Sequence, residues 1–392
     1  MPTHLILHHH FRPHLNLNYM HKQLFTLKGH KGPVSSIANY YNGQCFIVSG
    51  DADGNLVLWD LTTRRPITTW KGHDGNIISI KQWHNYIMTQ SRDSSLKIWN
   101  ISENRATEMF QLPTNSLNFC NFETFEDYVF VPASVDSNNF DCYKINPSTF
   151  DFTRVISNFN PFSLLYDEVV DSNGRNNFGI IMKLAYINTK SILAVGFESG
   201  DLLTLNIDWN QNEVVTTEST SSTGSKVVDK LLINKEPNIS LLYHNSSHSP
   251  NPVTSMTIAD NSIISGSTNN KIIAHNIEDG TFDIIKVGSS GIQSIAKLNT
   301  SFIIGYWNGT IEARSDSDQL FTISRATPSV SNLETPKSAI KLTSLLLLVP
   351  DIIESPTTSY KQLVQSKRRS MLNKPLLLSG YEDGVIAVHS VL

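Results

Sequence analysis

Cysteine is scarce. The three in 392 residues, Cys45, Cys120 and Cys142, are widely spaced and odd in number. That argues against a disulfide framework or a paired-cysteine metal site, and leaves them as small apolar residues in a reducing compartment. Long apolar runs are missing too. No stretch approaches the eighteen or so residues of a membrane-spanning helix, and the longest, Leu345–Val349, has the length of a strand. Positive charge is not in excess. A net charge of −4 provides no basic field for nucleic acid, so any role near DNA would run through a protein partner. Apolar residues still make up 40% of the chain, ample for a soluble core.

Residues 1–21 concentrate histidine: His4, His8, His9, His10, His14 and His21. Imidazoles can chelate metal, but the expectation is a solvated, disordered extension before a single domain over 22–392. Leu5-Ile6-Leu7 is too short for a signal peptide, and no Ala-x-Ala site follows. Met20 is a candidate start of translation. No metal and no cofactor is expected.

What the sequence does contain is a repeat. Gly50 to Asp60 reads as an Asp-Gly turn feeding a short strand, Leu56–Trp59, that is apolar on both parities and so covered on both faces. Ahead of it lie Leu24–Leu27, a Gly29-His30 turn, Val34–Ala38 and Cys45–Gly50, all of strand length and bounded by turn residues. The order then recurs: Gly72-His73, Ile77–Ile80, Tyr86–Thr89, Arg92-Asp93 and Leu96–Trp99. The step from Trp59 to Trp99 is about 40 residues, the period of WD40 repeats in a β-propeller.

In such a repeat a turn His, a strand Ser or Thr, a turn Asp and a strand Trp can form one buried hydrogen-bonded chain. The expected sets are His30, Ser49, Asp53 and Trp59, then His73, Thr89, Asp93 and Trp99. Their duplication at matching offsets marks a structural fastener and argues against a Ser-His-Asp catalytic triad. Five later units keep the strand frame and are expected to lack the fastener. Their strands are read at Leu117–Phe122, Tyr128–Ala133 and Phe140–Ile145; at Ile180–Ile187, Ile192–Gly196 and Leu202–Ile207; and at Val253–Ile258, Ser262–Gly266 and Lys271–Ile277. The last two units take Ile292–Leu298, Phe302–Gly305 and Thr310–Arg314, then Leu342–Val349, Leu376–Gly380 and Val385–His389. The Trp column runs Trp59, Trp99, Tyr143, Leu205, His275, Arg314, His389.

The orphan strand Leu24–Leu27 can supply the outer strand of the last unit. The fold class expected is therefore all-β, a seven-bladed WD40 β-propeller closed by its N-terminal strand. Polar stretches near 150–178, 208–251, 315–340 and 350–375 read as surface insertions. The last is basic after Glu354, compatible with a solvated loop or a short nuclear-import segment.

The segments Gly29-His30 to Asp60, Trp70-Lys71-Gly72-His73 and Arg92-Asp93 to Trp99 resemble the fungal ASTRA-associated protein 1 family. So does Leu112-Pro113-Thr114-Asn115-Ser116-Leu117-Asn118-Phe119-Cys120, similar to that family's LPV-N-LNFC segment with Thr114 in place of Val. Gly196-Phe197-Glu198-Ser199-Gly200 and Gly380-Tyr381-Glu382-Asp383-Gly384 fit as well. The resemblance is strong over 22–145 and patchy beyond, and extends to the animal G-protein β-subunit-like protein 1. It implies a non-catalytic WD-repeat component of the ASTRA complex, tied to chromatin remodelling and to maturation of PI3-kinase-like kinases. The implied partners are ASTRA subunits and co-chaperones, with the chain a monomer inside a larger complex, in the nucleus and also the cytoplasm. No direct nucleic-acid or membrane partner is implied. The alternative is an adaptor of another complex, a ubiquitin-ligase substrate receptor or a histone-peptide reader.

Register places two residues before each turn Asp on one rim. Blades 4, 6 and 7 there share Gly-aromatic-x-x-Gly turns. Phe197, Tyr306, Trp307 and Tyr381 are the expected partner-binding anchors, with Glu198 and Glu382 steering a basic segment; the competing reading packs these aromatics between blades.

Overall fold

The computed structural model describes residues 21–41, 45–115, 119–165, 177–209, 213–217, 230–234, 237–259, 262–315, 318–325, 339–349 and 372–391. The strongly histidine-rich stretch before residue 21, most of the basic insertion near 350–375 and the side chain of Cys45 lie outside them.

Short strands apolar on both faces must be covered on both sides, and seven four-stranded antiparallel sheets achieve this by packing face to face around a ring. Blade 1 comprises Val34–Tyr41, Cys45–Asp51, Asn55–Asp60 and Arg65–Lys71 from the channel outward; blade 2 comprises Ile77–Trp83, Tyr86–Ser91, Ser95–Ser102 and Arg105–Pro113. Blade 7 joins Leu342–Leu348, Leu376–Tyr381 and Val385–Val391 to the N-terminal strand His21–Lys28. The closing ladder runs from His21 opposite Val391 to Lys28 opposite Val385, with one register shift between Gln23 and Phe25. The two central strands of this blade are buried at every residue. Its interface with blade 1 is a continuous apolar layer in which Ile47, Val57 and Trp59 meet Leu376, Leu378, Ile386 and Val388, with Leu27 of the closing strand in the same layer.

The chain departs from sequence expectation in its outer strands. Phe152–Phe159, Asn238–Asn245 and Gln319–Ser324 are the outer strands of blades 3, 4 and 6, inside stretches that read as polar insertions. An outer strand has one face in water and carries few apolar residues, so composition alone resembles a loop. The 208–251 stretch also holds a separate hairpin, Glu213–Thr217 with Lys230–Asn234, and His21 belongs to the closing strand. In blade 3 the inner strand is Glu123–Phe125, not Leu117–Phe122. Cys120 and Phe122 are buried in irregular chain. The Asn121 side chain holds that chain to blade 4, donating to the Leu184 carbonyl (2.9 Å) and accepting from its N–H (3.2 Å).

Candidate functional site

In blade 1 the second strand ends with Ser49 and Asp51 on one face, two residues apart. Ser49 Oγ accepts from Trp59 Nε1 (2.8 Å) and lies 2.7 Å from His30 Nε2, while His30 Nδ1 meets Asp51 Oδ2 at 2.9 Å. Gly29 makes the room, since a Cβ there would lie 2.7 Å from the Trp59 ring. The carboxylate is therefore Asp51, and Asp53 takes no part: it sits exposed at the tip of the turn. Asp51 also accepts from the N–H groups of Asp53 and Asn55 and from the Asn55 amide. Burial pushes its carboxyl up, but the hydrogen bonds from His30 and Asn55 outweigh that and hold it below the usual range.

Blade 2 builds the same chain with a displaced acid. Trp99 Nε1 donates to Thr89 Oγ1 (2.8 Å), which lies 2.7 Å from His73 Nε2, and His73 Nδ1 meets Asp93 Oδ2 at 2.9 Å. The Asp51 position is Ser91 here, too short to reach, so the turn residue Asp93 swings in and is held by Ser95 (2.6 Å). In both blades the hydroxyl is fully buried and already bonded to an indole and an imidazole. Such a group fastens strands and has no path to a substrate.

A third chain exists in blade 5, where none is expected. Ser265 Oγ lies 2.9 Å from His248 Nε2 and 2.7 Å from His275 Nε2, with Tyr243 Oη 3.4 Å from His275 Nδ1. His275 stands in the Trp column. The signal was present in the sequence as Ser265 ten residues before His275, the spacing of Ser49 to Trp59. Burial lowers both imidazoles, His248 to about 4 and His275 to about 3. Among the described residues no acid completes this chain, and His248 Nδ1 and the Ser267 hydroxyl are buried without hydrogen-bond partners.

The rim residues separate into two sets. The first of each pair ends a strand and points inward, so Phe197, Tyr306 and Tyr381 are at most 1% exposed. They occupy the Asp51 position of their blades and are interblade core, which corrects their reading as partner anchors. Phe197 packs on Phe178 (5.2 Å), and Tyr306 donates to Glu312 Oε2 (2.6 Å). The second residue of each pair points out: Arg92, Glu198, Trp307 and Glu382 are exposed. Trp307, 44% exposed, lies against Gly291, where a Cβ would come within 2.8 Å of its ring. Glu198 and Glu382 bend back onto the backbone that enters the inner strand of their blades, accepting from Ile180 N (3.4 Å) and Lys341 N (3.0 Å). That engagement weakens the idea that they steer a basic segment.

Inside the ring runs a polar channel. Its turn-side half has a volume of about 450 Å3 and the opposite half about 490 Å3, the two sharing Asn121, Lys183, Gln293, Ser294 and Leu345. Several polar groups here tie one inner strand to the next: Thr343 and Ser344 donate to the Val34 carbonyl (both 2.7 Å), and Gln293 donates to the Thr343 carbonyl (3.0 Å). Among the described residues, no cluster of three or more His, Cys, Asp or Glu is placed to hold a metal ion.

Comparison with known proteins identifies the lineage of this ring. Residues 23–389 match the family described as ASTRA-associated protein 1. The chain belongs to that family. ASTRA-associated protein 1 of Scheffersomyces stipitis is 38% identical, aligned over 94% of this chain and 98% of its own length. The Candida tropicalis protein is 39% identical over 94% and 99%, and that of Candida albicans 37% over the same shares. The family match spans all seven blades, from the closing strand to the last. Among solved structures, Saccharomyces cerevisiae Sqt1 superposes with a TM-score of 0.57 at 11% identity, covering 94% of this chain and 98% of that one, a likeness of fold alone.

Proposed function

We propose that this chain is a non-catalytic scaffold of an ASTRA assembly, acting in chromatin remodelling and in maturation of PI3-kinase-like kinases with co-chaperones, in the nucleus and also the cytoplasm. The observation that carries this reading is the family match over 23–389, together with relatives aligned over nearly their whole length. The non-catalytic part draws on the fasteners, whose Ser and Thr hydroxyls are buried and engaged. A rigid ring that leaves Trp307 and the second rim residues exposed suits partner contact, since exposed aromatics on fixed scaffolds make hot spots.

Affinity purification of the full chain with mass spectrometry tests it. Recovery of ASTRA subunits with kinase-maturation co-chaperones is expected. Recovery of cullin subunits or histone tails in their place would shift the assignment to a ubiquitin-ligase receptor or a histone reader.

A further inference from the structure

The central channel carries two lysines in unlike circumstances. Lys81 forms an ion pair with Glu123 in the half away from the turns. Lys183, shared by both halves, has no carboxylate within ion-pair distance among the described residues. At the turn-side mouth stands a second cation with no ion pair among the described residues, Arg92, whose guanidinium lies 4.1 Å over the Phe119 ring. Phe119 is itself 49% exposed. The described lining of this half includes Ser35, Asn76, Ser79, Asn121 and Gln293, with no Asp or Glu. In a chain of net charge −4, a channel half whose described lining holds two cations without ion pairs and no acid is a local reversal of sign.

We propose that the turn-side half of the channel is a docking site for an acidic peptide segment of a partner protein. Arg92 receives its carboxylates at the mouth, Lys183 receives one in the wall, and Phe119 supports an apolar side chain between them. Charge complementarity is the argument for the occupant. Carboxylates entering a narrow polar channel exchange water for fixed cations and amide or hydroxyl donors, and the field between low-dielectric walls draws them in. Burial holds the Lys183 amino group below the usual lysine range, the behaviour of a cation without a counter-ion, and a bound carboxylate relieves that cost. A volume of about 450 Å3 is within the range of pockets that enclose a compact ligand. The site is independent of which assembly the chain enters.

The test uses the purified full chain and fluorescence anisotropy with two labelled decapeptides, one Glu-rich with a central Phe and its Lys-for-Glu counterpart. The acidic probe is expected to bind, more weakly as salt rises, and the basic probe not to bind. Arg92→Glu and Lys183→Met are each expected to weaken the acidic probe tenfold or more. Arg92 is exposed, so R92E decides the matter alone if K183M melts below the wild type. Equal binding of both probes, or unchanged binding by R92E, overturns the proposal. So does displacement by millimolar inorganic phosphate alone, which assigns the site to a small anion.

Discussion

Replacing Asp51 by Ala separates two descriptions of blade 1 that sequence alignment cannot. Asp51 is 1% exposed and accepts hydrogen bonds from His30 Nδ1 (2.9 Å), Asn55 N (2.9 Å), Asp53 N (3.0 Å) and the Asn55 amide (3.1 Å). Its loss leaves His30 Nδ1 buried without a partner, which costs about 1–3 kcal/mol, while the turn N–H groups can turn to water more cheaply. Adding the lost charge-assisted bonds, a destabilisation of about 3–4 kcal/mol is expected for D51A. D53A changes an exposed turn tip and should stay within about 0.5 kcal/mol of wild type. D51N is expected between them, because the amide oxygen still accepts from the turn while His30 must change tautomer. Urea unfolding followed by tryptophan fluorescence measures all three, with constancy of the slope confirming that midpoint shifts report stability. Equal losses for D51A and D53A, or a D51A loss under about 0.5 kcal/mol, would refute the assignment of Asp51 to the fastener.

Ser265→Ala should destabilise blade 5 by about 2–3 kcal/mol, since two buried imidazoles lose their shared hydroxyl; a neutral outcome by urea unfolding would show that the third chain is not a fastener. Acidification from pH 7 to 5 should destabilise the fold through its buried histidines. His248, His275 and His389 are lowered by burial to about 4, 3 and 4, so they stay neutral when folded and take up protons near pH 6.5 when unfolded. Their contribution is complete above about pH 6.5 and is lost as pH falls toward 3–4, at about 2 kcal/mol per histidine between pH 7 and 5, less than additively for the coupled pair. Equal urea midpoints at pH 7 and 5 would contradict this. Tyr306→Phe should cost about 1–3 kcal/mol by stripping Glu312 of a buried donor, whereas Tyr381→Phe should be close to neutral because, among the described residues, its buried hydroxyl makes no hydrogen bond of good geometry and has only Ser379 nearby; thermal melting of the two variants, compared side by side, decides it.

The inner and middle strands were legible because a strand buried on both faces is an unbroken apolar run between turn residues, as at Leu376–Tyr381. Ring closure followed from counting strands. Apart from the closing strand around Leu24–Leu27, the outer strands of blades 3, 4 and 6 were not legible, since water on one face lets Phe152–Phe159 read as polar loop. Asp53 was aligned with Asp93 correctly by position, but alignment does not say which carboxylate reaches the histidine. With Ser91 in the Asp51 position, blade 2 recruits its turn acid, and blade 1 has no need to. Rim aromatics were misplaced for a different reason. Successive residues of a strand point to opposite sides, so of each rim pair only one can face out, and the strand-final residue is the one turned inward.

The strand-final column explains why the later blades can dispense with the fastener. It holds Asp51, Ser91, Phe197, Ser267, Tyr306 and Tyr381 in blades 1, 2, 4, 5, 6 and 7, all buried. The space beneath each turn must be filled, and two chemistries fill it. A small acid leaves room for an imidazole and brings hydrogen bonds; an aromatic ring fills the volume outright and needs none. Blade 4 takes the second course entirely, with Phe197 against Phe178. Blade 6 combines them: Tyr306 fills the space, and Glu312, from the third strand, accepts from its hydroxyl and from the Gly288 N–H (2.9 Å) in the turn. Blade 5 is caught between: Ser267 is small, no acid joins its chain among the described residues, and the Ser267 hydroxyl and His248 Nδ1 are buried there without a hydrogen-bond partner among those residues. Because either solution satisfies the core, the adjoining outward residue does not have to fill the space beneath the turn. Arg92, Glu198, Thr268, Trp307 and Glu382 therefore differ from blade to blade where the inward column is constrained. A propeller can vary its surface at that one position without disturbing the ring beneath it.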